Sequence, residues 1–529
     1  EIYQRLVTLY DRADLKYNSG LFHFKAEAGN SNNVDTFTPS LTIDDKVLKD
    51  IIKSLYYPCP YVFKEIPVEI LGQVYEQFLG KVIRLTPGHR AKIEEKPEVR
   101  KAGGVYYTPK YIVDYIVENT VGKLLEGKTP NDAEDLKILD PACGSGSFLL
   151  GAFQYLVDWH EDWYLANDPE KWTRGKAPAL IQTADGDWRL TTEEKKRILV
   201  NNIHGVDIDQ QAVEVTKLSL LLKVLEEETG QLTLGFERAL PDLNENIKCG
   251  NSLIGWDYFA EQLLPDQSEV QRVNPFDWKK QFPEVFSRGG FDVVIGNPPY
   301  VRQETLGEDK KYYKAQYEVY TGTADLYSYF IEKGIKLLKN GGMFSYIVAN
   351  KWLRTKYGKP LRDFLKKQCI EEITDFGDLP VFKDATTYPC ILRVSNRELH
   401  LNPWVTNVEN LDFISLADYV ANNRYRVDQS RFEDEGWSLL DIETLDILDK
   451  LKNNSINLDS YVDGKIFRGI ITGLNQAFVI DEKTKNHLVS KDPKSLDLIR
   501  PFAIGRDIKR YQPIKKQQYQ DCCYCPRGH

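Results

Sequence analysis

The spacing of apolar residues divides the chain into three stretches with different patterns. In residues 1–100, segments such as VLKDIIKSLYY and EILGQVYEQFLGKVI place apolar side chains three and four positions apart, which predicts amphipathic helices. The charged segment GHRAKIEEKPEVRKAGG follows, and its glycines and proline predict a flexible linker. We therefore expect a helical connector module over residues 1–100.

Residues 101–395 alternate short apolar runs with longer amphipathic segments. The runs LKILD, IHGVD, FDVVIG, MFSYIVA, EEITDF and CILRV read as strands, and the segments between them have helical spacing. This alternation predicts an α/β domain with a mostly parallel sheet. After residue 395 the alternation is lost, and glycine-rich turns such as FRGIITGLN indicate a separate α+β domain over residues 396–529.

The composition narrows the class of protein. A chain of 529 residues needs more than one core, and 42% hydrophobic with 28% charged residues is typical of a globular protein in water. No apolar run approaches the roughly 18 to 20 residues of a membrane span, and no secretory signal follows the start. The eight cysteines are too few for a disulfide framework, so we expect a cytoplasmic protein.

The last nine residues, DCCYCPRGH, concentrate cysteines. Cys522 and Cys525 form a C-x-x-C pair with Cys523 between them and His529 after them. One such half-site is weak evidence for zinc, so free thiols are the favoured interpretation. Because the chain starts at Glu1 rather than Met and stops inside a patterned segment, we expect a piece of a longer protein with a truncated C-terminal domain.

The string ILDPACGSGSFLLGAFQYLV reads as a strand, a glycine-rich turn and a helix. Gly144 and Gly146 let the backbone approach a ligand, and the helix N-terminus offers free N–H groups. A dinucleotide fits poorly, because Leu149 replaces the third glycine and the strand-end acid Asp207 lies 61 residues beyond Gly146. S-adenosylmethionine fits better, since Asp140 can meet its amine and Asp207 its ribose hydroxyls. The alternative is that Asp140 only satisfies N–H groups of its own loop.

Two residues are interpreted as helix caps. Thr108 precedes Pro109 and the apolar-periodic segment KYIVDYIV, which predicts an N-cap followed by proline in the first turn. Asp209 is interpreted as the N-cap of the helix QQAVEVTKLSLLLKVL, and not as a ligand-binding residue.

The string FDVVIGNPPY ends a buried-looking strand in an amide, two prolines and an aromatic ring. Asn297 offers a side-chain carbonyl, and Pro298, which has no N–H, offers a directed backbone carbonyl. Two acceptors suit a flat heterocycle with an amino group, on which Tyr300 can stack. Methyl transfer to such an amine needs acceptors for its protons rather than a strong base. The alternative is a tight turn.

In this order, the strings GVYYTP, DPACGSG, GVDID, CGNSL and GNPPY resemble the gamma-class S-adenosylmethionine-dependent DNA adenine N6-methyltransferases, including the methylase part of type IIG restriction-modification enzymes. The resemblance covers about residues 100 to 395. It implies a Rossmann-like class I methyltransferase domain with a seven-stranded, mostly parallel sheet. It also implies S-adenosyl-L-methionine as cofactor and transfer to the N6 amine of an adenine flipped out of double-stranded DNA.

The resemblance assigns roles to individual residues. The residues that match the cofactor-binding motifs are Thr108, Asp140, Ala142, Gly144, Gly146, Asp207 and Asn251. Thr108 matches a contact to the cofactor carboxylate and Asp207 the ribose-binding acid. Asn251 stands where many relatives have Asp, and Ser252 could share its contact. The residues that match the catalytic site are Asn297, Pro298, Pro299, Tyr300 and Phe382. Phe382 matches a second aromatic against the flipped base, and its alternative is a core phenylalanine.

The tail segments FRGIITGLNQAFVID and RPFAIGRDIKRY resemble the target-recognition domain of type IIG and TaqI-like enzymes. The net charge of the chain is −9, yet residues 491–529 carry nine Lys/Arg against four Asp/Glu, which permits a local phosphate-contacting face. The residues expected to contact DNA are Arg468, Arg506, Lys509 and Arg510, with a solvated basic face as the alternative. A nuclease, common in these relatives, is expected outside this chain.

Three other functions stay open on the sequence alone. Protein-glutamine methyltransferases also use NPPY on an amide nitrogen. Cytosine N4 methyltransferases carry out similar chemistry, but more often have Ser at the position of Asn297. The third alternative is a DNA-binding subunit of a defence system that keeps the fold without turnover.

Overall fold

The computed structural model describes the chain in separate stretches. The described residues are 2–17, 24, 35–56, 58, 70, 74, 81–85, 91–95, 108–183, 185–226, 240–262, 264–301, 306–382, 388–399, 402–434, 436–464, 479–502 and 518–521. The predicted residues that lie outside these ranges are Arg468, Arg506, Lys509, Arg510, Cys522, Cys523, Cys525 and His529. The chain divides into two compact units, Glu1–Leu445 and Asp446–His529.

A nine-stranded sheet organises the first unit. Its strands are β1 (Ile138–Asp140), β2 (Ile203–Asp207), β3 (Ile247–Cys249), β4 (Phe291–Gly296), β5 (Leu338–Ala349), β6 (Cys369–Asp375), β7 (Pro389–Ser395), β8 (Trp404–Asn407) and β9 (Tyr425–Arg426). Their order is β9-β8-β6-β7-β5-β4-β1-β2-β3. Only β7 and β9 are antiparallel to the other strands. The predicted mostly parallel α/β sheet is confirmed, with two strands more than the seven expected.

Helices cover both faces of this sheet. Alternate strand residues point to opposite faces, so Ile138 and Val293 join one core while Leu139 and Val294 join the other. All of β4 is buried, as is typical of a parallel strand covered on both sides. The helices of the sheet region are Lys110–Val117, Lys123–Leu125, Pro130–Ala133, Ser147–Ala166, Thr192–Asn202, Gln210–Leu225, Gln267–Val273, Trp278–Gln281, Pro283–Ser287, Lys310–Gln316, Tyr327–Lys336, Lys359–Leu365 and Leu416–Asn423.

The strand order places a crevice at the middle of the sheet. β1 pairs with β2 on one side and with β4 on the other, so the chain order changes direction at β1. Ligands of such sheets bind beyond the carboxyl ends of the strands at this switch point. The glycine-rich turn after β1 and the NPPY segment after β4 therefore lie side by side.

The N-terminal stretch contains a hairpin as well as helices. Its described helices are Ile2–Tyr17 and Asp45–Ser54, and Lys81–Leu85 pairs antiparallel with Ala91–Glu95. The hairpin corrects the expectation of a purely helical module with a flexible linker at this point. The apolar and β-branched residues of KVIRL favour a strand. This strand supplies a partner for AKIEE, which lies within the segment predicted to be a linker.

The sheet continues beyond residue 395, where a separate domain was expected to begin. β8 pairs parallel with β6, and β9 pairs with β8, so both strands extend one edge of the sheet. The second compact unit begins at Asp446.

The described elements of the second unit are helical and antiparallel. The helix Ile442–Asn453 spans the division, and it is followed by Leu458–Tyr461, Glu482–Lys491 and Ser495–Leu498. The strands Val479–Ile480, Ile499–Phe502 and Gln518–Asp521 form a small antiparallel sheet. In the part of the chain that the structure describes, no helix is both long and apolar enough to cross a membrane.

Candidate active site

The glycine-rich turn after β1 requires its glycines. Gly144 and Gly146 have φ angles of 53° and 88°, a region that other residues rarely adopt. A Cβ atom on Gly146 would also lie 2.9 Å from Cγ2 of Thr216. Gly146 is the N-cap of the helix Ser147–Ala166. The free N–H groups of this helix therefore open towards the crevice, where they favour an anionic or acceptor group.

Asp140 ends β1 as a buried carboxyl group. Its exposed fraction is 2%, and Oδ1 accepts a hydrogen bond from the backbone N–H of Ala142 at 3.0 Å. Burial raises the pKa of Asp140 to about 8, and the nearby Asp207 adds to the rise while the Ala142 N–H opposes it. The hydrogen bond from Ala142 is the contact within its own loop that the alternative interpretation of Asp140 predicted. A carboxyl group this buried is stabilised in its charged form by a cation such as an amine.

Asp207 ends β2 and holds the turn against the sheet. Its Oδ2 accepts from Gly144 N and its Oδ1 from Asp209 N, each at 2.9 Å. Burial of the carboxyl group raises the pKa of Asp207. Asp209 caps the helix Gln210–Leu225 by accepting from Gln211 N at 2.9 Å, so the cap prediction is confirmed. The two neighbouring acids thus have different structural roles.

Thr216 is a residue of the site that the sequence interpretation missed. It lies in the helix Gln210–Leu225 with an exposed fraction of 0%, and its Oγ1 donates to the carbonyl of Gly144 at 2.8 Å. It therefore fixes the turn from the side opposite to Asp207. The available signal was a threonine on the buried face of this helix, between Val213 and Leu220.

The turn after β3 is connected to the first two strand ends. Gly250 N donates to Asp207 O at 2.8 Å, and Ser252 Oγ donates to Pro141 O at 2.6 Å. Asn251 Oδ1 accepts from Leu253 N at 3.0 Å within the turn itself. The side-chain carbonyl of Asn251 and the hydroxyl of Ser252 are therefore both used to shape this loop.

Asn297 follows β4, and the two ends of its amide have different surroundings. Nδ2 donates to Thr108 Oγ1 at 3.1 Å. Oδ1 is buried and has no hydrogen-bond partner among the described residues. A buried acceptor left unsatisfied costs about 1–3 kcal/mol, so at this strand end the atom is available to a donor that binds in the crevice. A Cβ atom on the preceding Gly296 would lie 2.7 Å from Asp140 Oδ1, which shows how closely the two strand ends approach.

Thr108 binds the side chain of Asn297 and does not cap a helix. The helix Lys110–Val117 has Pro109 as its N-cap, without a side-chain cap. The prediction of Thr108 as N-cap is therefore wrong. Its buried hydroxyl lies one residue too early to cap the helix, and it accepts from the Asn297 amide instead.

The last residue of the NPPY segment, Tyr300, pairs with a second aromatic ring, that of Phe382. Pro298 is buried, Pro299 is exposed, and Tyr300 Oη donates to the carbonyl of Ile347 in β5 at 3.3 Å. The rings of Tyr300 and Phe382 meet edge to face with centroids 6.4 Å apart. Phe382 has an exposed fraction of 3% and belongs to the core, as its alternative interpretation requires. The structure thus brings the two predicted aromatics together.

The sheet order and the crevice define a class of enzyme fold. Strand β7 enters antiparallel between β5 and β6, while acids end β1 and β2 around a glycine-rich turn. This is the class I methyltransferase fold, whose cofactor is S-adenosyl-L-methionine.

Comparison with known proteins gives the family. The N-6 DNA Methylase family matches residues 67–235, and the Eco57I restriction-modification methylase family matches residues 201–382. The type II restriction enzyme and methyltransferase RM.Eco57I of Escherichia coli is 32% identical over 498 residues, which cover 92% of this chain and 46% of that protein. The type II methyltransferase M.BstVI of Geobacillus stearothermophilus is 27% identical over 401 residues, which cover 72% and 60%.

A solved structure shares the fold. The type IIL restriction-modification enzyme MmeI in complex with DNA superposes with a TM-score of 0.52 at 13% identity, covering 95% of this chain and 62% of that one. The chain is thus a homologue of N6-adenine DNA methylases, including those of type II restriction-modification systems. It spans about half the length of the curated relatives that it matches.

Proposed function

We propose that the chain is a site-specific DNA methyltransferase that transfers a methyl group from S-adenosyl-L-methionine to the N6 amine of a flipped adenine. The observation that carries this proposal is the buried Oδ1 of Asn297, an acceptor without a partner among the described residues. It lies at the strand end next to the candidate cofactor site. An exocyclic amine is a donor that fits such an atom, because it brings two N–H groups and a lone pair.

The neutral residues of the NPPY segment suit this chemistry. As positive charge develops on the nitrogen, Asn297 Oδ1 accepts one of its N–H groups, and the backbone carbonyl of Pro298 accepts the other. Pre-positioned acceptors stabilise the developing charge without reorganisation. Neither Pro298 nor Pro299 has an N–H to compete for the lone pair. Tyr300 stacks against the base, an interaction worth about 1–3 kcal/mol per base.

The residues around the glycine-rich turn fit the cofactor. S-adenosyl-L-methionine supplies an electrophilic methyl group when bound. We propose that Asp140 accepts from its amino group, that Asp207 accepts from its ribose hydroxyls, and that Thr108 contacts its carboxylate. Gly144 and Gly146 give the turn the left-handed backbone that lets it approach a ligand, and Gly146 also leaves room for the Thr216 side chain behind it.

We place this activity in a prokaryotic restriction-modification or related defence system. The curated relatives come from bacteria and an archaeon, and two of them carry both restriction and methyltransferase activities in their names. We propose a cytoplasmic enzyme with double-stranded DNA as partner and a nuclease domain or subunit outside this chain. Residues from Asp446 onwards, with Arg468, Arg506, Lys509 and Arg510, are proposed to recognise the target sequence.

The test is a transfer assay with labelled S-adenosyl-L-methionine and mixed-sequence plasmid DNA, followed by hydrolysis to single bases. Label in N6-methyladenine is the expected result, and Asn297→Ala should remove it. Label in cytosine would contradict the proposed substrate. Label in added release-factor protein, the substrate that tests for a protein-glutamine methyltransferase, with none in DNA would also contradict it. Absence of transfer, with cofactor and DNA both bound, would favour the non-enzymatic DNA-binding subunit.

A further inference from the structure

The segment after β5 concentrates exposed cations. We call residues 350–358, NKWLRTKYG, the β5 loop; it carries Lys351, Arg354 and Lys356 and no acid, in a chain whose net charge is −9. All three cations are exposed, and 76% of the Arg354 side chain is accessible. The β5 loop is therefore a local positive surface in an acidic chain.

The β5 loop lies at the same edge of the sheet as the NPPY segment, because it follows the carboxyl end of the neighbouring parallel strand. β5 pairs parallel with β4, with Gly296 opposite Tyr346, and the Tyr300 hydroxyl donates to Ile347 of β5. A strand rises about 3.3 Å per residue, so Asn350 lies roughly 10 Å beyond the level of Asn297. The cations thus stand at the rim of the proposed target-base site.

The backbone of the β5 loop is held by buried contacts. The buried guanidinium of Arg362 donates from Nη1 to the carbonyls of Trp352, at 2.5 Å, and Thr355, at 2.9 Å. From the other side, Trp437 N donates to Leu353 O at 2.7 Å. Because folding already orders this backbone, binding a partner costs side-chain entropy but little further backbone entropy.

Three contacts involve Asn350 and two of the cations at this edge. Asn350 Nδ2 donates to Oδ1 of the buried Asp375 at 2.7 Å, and Arg354 Nη2 lies 3.9 Å from Oδ2 of the same carboxyl group. Lys351 Nζ lies 5.8 Å from the centre of the Tyr388 ring. The buried Asp375 therefore contacts both Asn350 and Arg354, while the charged ends of Lys351 and Arg354 stay at the surface.

We propose that the β5 loop binds the phosphate backbone of the DNA strand that carries the flipped adenine. The inference rests on the proposed function, because it takes its partner from that reaction. Lys and Arg contacts to phosphate fix the register of a protein on DNA without reading sequence. Such contacts beside the target would hold the strand while the base leaves the stack, and the second unit would select the sequence.

The test compares two triple variants of the whole chain. Lys351→Ala, Arg354→Ala and Lys356→Ala remove the loop cations, and the matched control variant replaces Lys176, Lys279 and Lys280, which are also exposed. Binding of a fluorescent DNA duplex of mixed sequence is measured over a series of salt concentrations. We expect the loop variant to bind at least tenfold more weakly at low salt. Its salt slope should fall by about 0.9 for each phosphate that the loop no longer neutralises, and the control should match wild type.

Cofactor titration of the same variants distinguishes misfolding from a specific loss of phosphate binding, and Arg354→Gln alone should give a smaller loss in the same direction. Unchanged affinity and salt slope in the loop variant would overturn the inference, even if the wild type methylates adenine. Loss of DNA affinity in the loop variant, with a wild type that binds DNA but transfers no methyl group, would support the inference and sink the proposed function. A wild type that binds no duplex contradicts both.

Discussion

The amide of Asn297 is fixed at one end and open at the other. Its Nδ2 is held by Thr108, and its Oδ1 has no partner among the described residues. We predict that Asn297→Ala lowers kcat by at least about 100-fold, or roughly 2.7 kcal/mol, as for other pre-positioned polar groups at a reacting centre. Single-turnover transfer to DNA measures the rate, and calorimetry should show cofactor affinity within about twofold of wild type.

Thr108→Val tests the same hydrogen bond from its other end, because it removes the hydroxyl at nearly constant volume. Loss of rate at saturating cofactor in this variant, with unchanged cofactor affinity and restoration in Thr108→Ser, would identify the hydrogen bond to Asn297 as the cause. A full rate in Asn297→Ala would contradict the proposed role of its carbonyl.

Asp207 and Asp209 are neighbouring acids with separable roles. Asp207 accepts two backbone hydrogen bonds at the crevice, whereas Asp209 caps a helix. We predict that Asp207→Ala weakens S-adenosyl-L-methionine binding by about 100-fold, since each hydrogen bond to a charged group contributes about 1.5–3 kcal/mol. Asp209→Ala should instead cost about 1 kcal/mol of stability. Titration calorimetry and thermal unfolding distinguish the two; equal cofactor affinities would contradict the assignment.

Asp140 should make cofactor binding depend on pH. Its pKa is raised from 3.8 in the unfolded chain to about 8 in the fold by burial. Between these values the folded, cofactor-free protein holds a proton that the unfolded chain has released, so the free energy of unfolding falls as pH rises through this window. An amine partner favours the charged carboxylate. Cofactor binding should therefore release a proton and strengthen towards pH 8.

Calorimetry in buffers of different ionisation enthalpy measures that proton. Asp140→Asn cannot release it, so this variant should bind more weakly at pH 8 and lose most of the pH dependence. Proton release that persists in Asp140→Asn would assign the effect to another group.

The glycine-rich turn combines a backbone requirement with a packing requirement. Gly146 has φ 88° and would bring a Cβ to 2.9 Å from Thr216, whereas Gly127 has φ 72° and no atom within 4 Å of a built Cβ. We predict that Gly146→Ala destabilises the protein by about 1–2 kcal/mol more than Gly127→Ala, because both share the left-handed strain and only one adds a clash. Denaturant unfolding measures both. Equal losses would contradict a packing role for Thr216.

Strands with strong apolar runs were predictable, and weak edge strands were not. The runs LKILD, IHGVD, FDVVIG, MFSYIVA, EEITDF and CILRV correspond to β1, β2, β4, β5, β6 and β7. The three-residue β3, IKC, is too short to show a period. β8 and β9 lie at the edge of the sheet, and Trp404 and Arg426 leave them without the continuous apolar character of a central strand. β8 forms by pairing with β6, and β9 by pairing with β8, and single-sequence patterns do not contain that information.

The site residues divide in the same way. Some could be predicted from the neighbouring sequence, and others depend on contacts between residues far apart in the chain. Asp140, Asp207 and Asn297 each follow a recognisable strand, so their neighbourhood at one sheet edge was predictable. The bonds from Thr216 to Gly144 and from Asn297 to Thr108 join residues 72 and 189 positions apart. Such bonds depend on how helices pack against the sheet. The local motif around Thr108 predicted a helix cap, whereas its hydroxyl binds Asn297, which lies far away in the sequence.

The division of the chain near residue 445 separates the proposed tasks of catalysis and recognition. The sheet and its crevice lie in Glu1–Leu445, and the basic tail lies in Asp446–His529. We predict that truncation after Asp441, before the helix Ile442–Asn453, leaves cofactor affinity within about threefold and abolishes site-specific methylation. Titration calorimetry and mapping of methylated adenines measure the two effects. Retained sequence specificity would place recognition in the first unit.

The close approach of Gly296 to Asp140 has a consequence for how such enzymes diversify. The neighbouring strands β1 and β4 set the spacing between the two halves of the crevice. The Asp140 carboxyl group occupies the space that a side chain at position 296 would need. The residues that we propose recognise DNA belong instead to the second compact unit. A lineage can therefore exchange the parts that choose its DNA sequence while one glycine keeps the transfer distance unchanged.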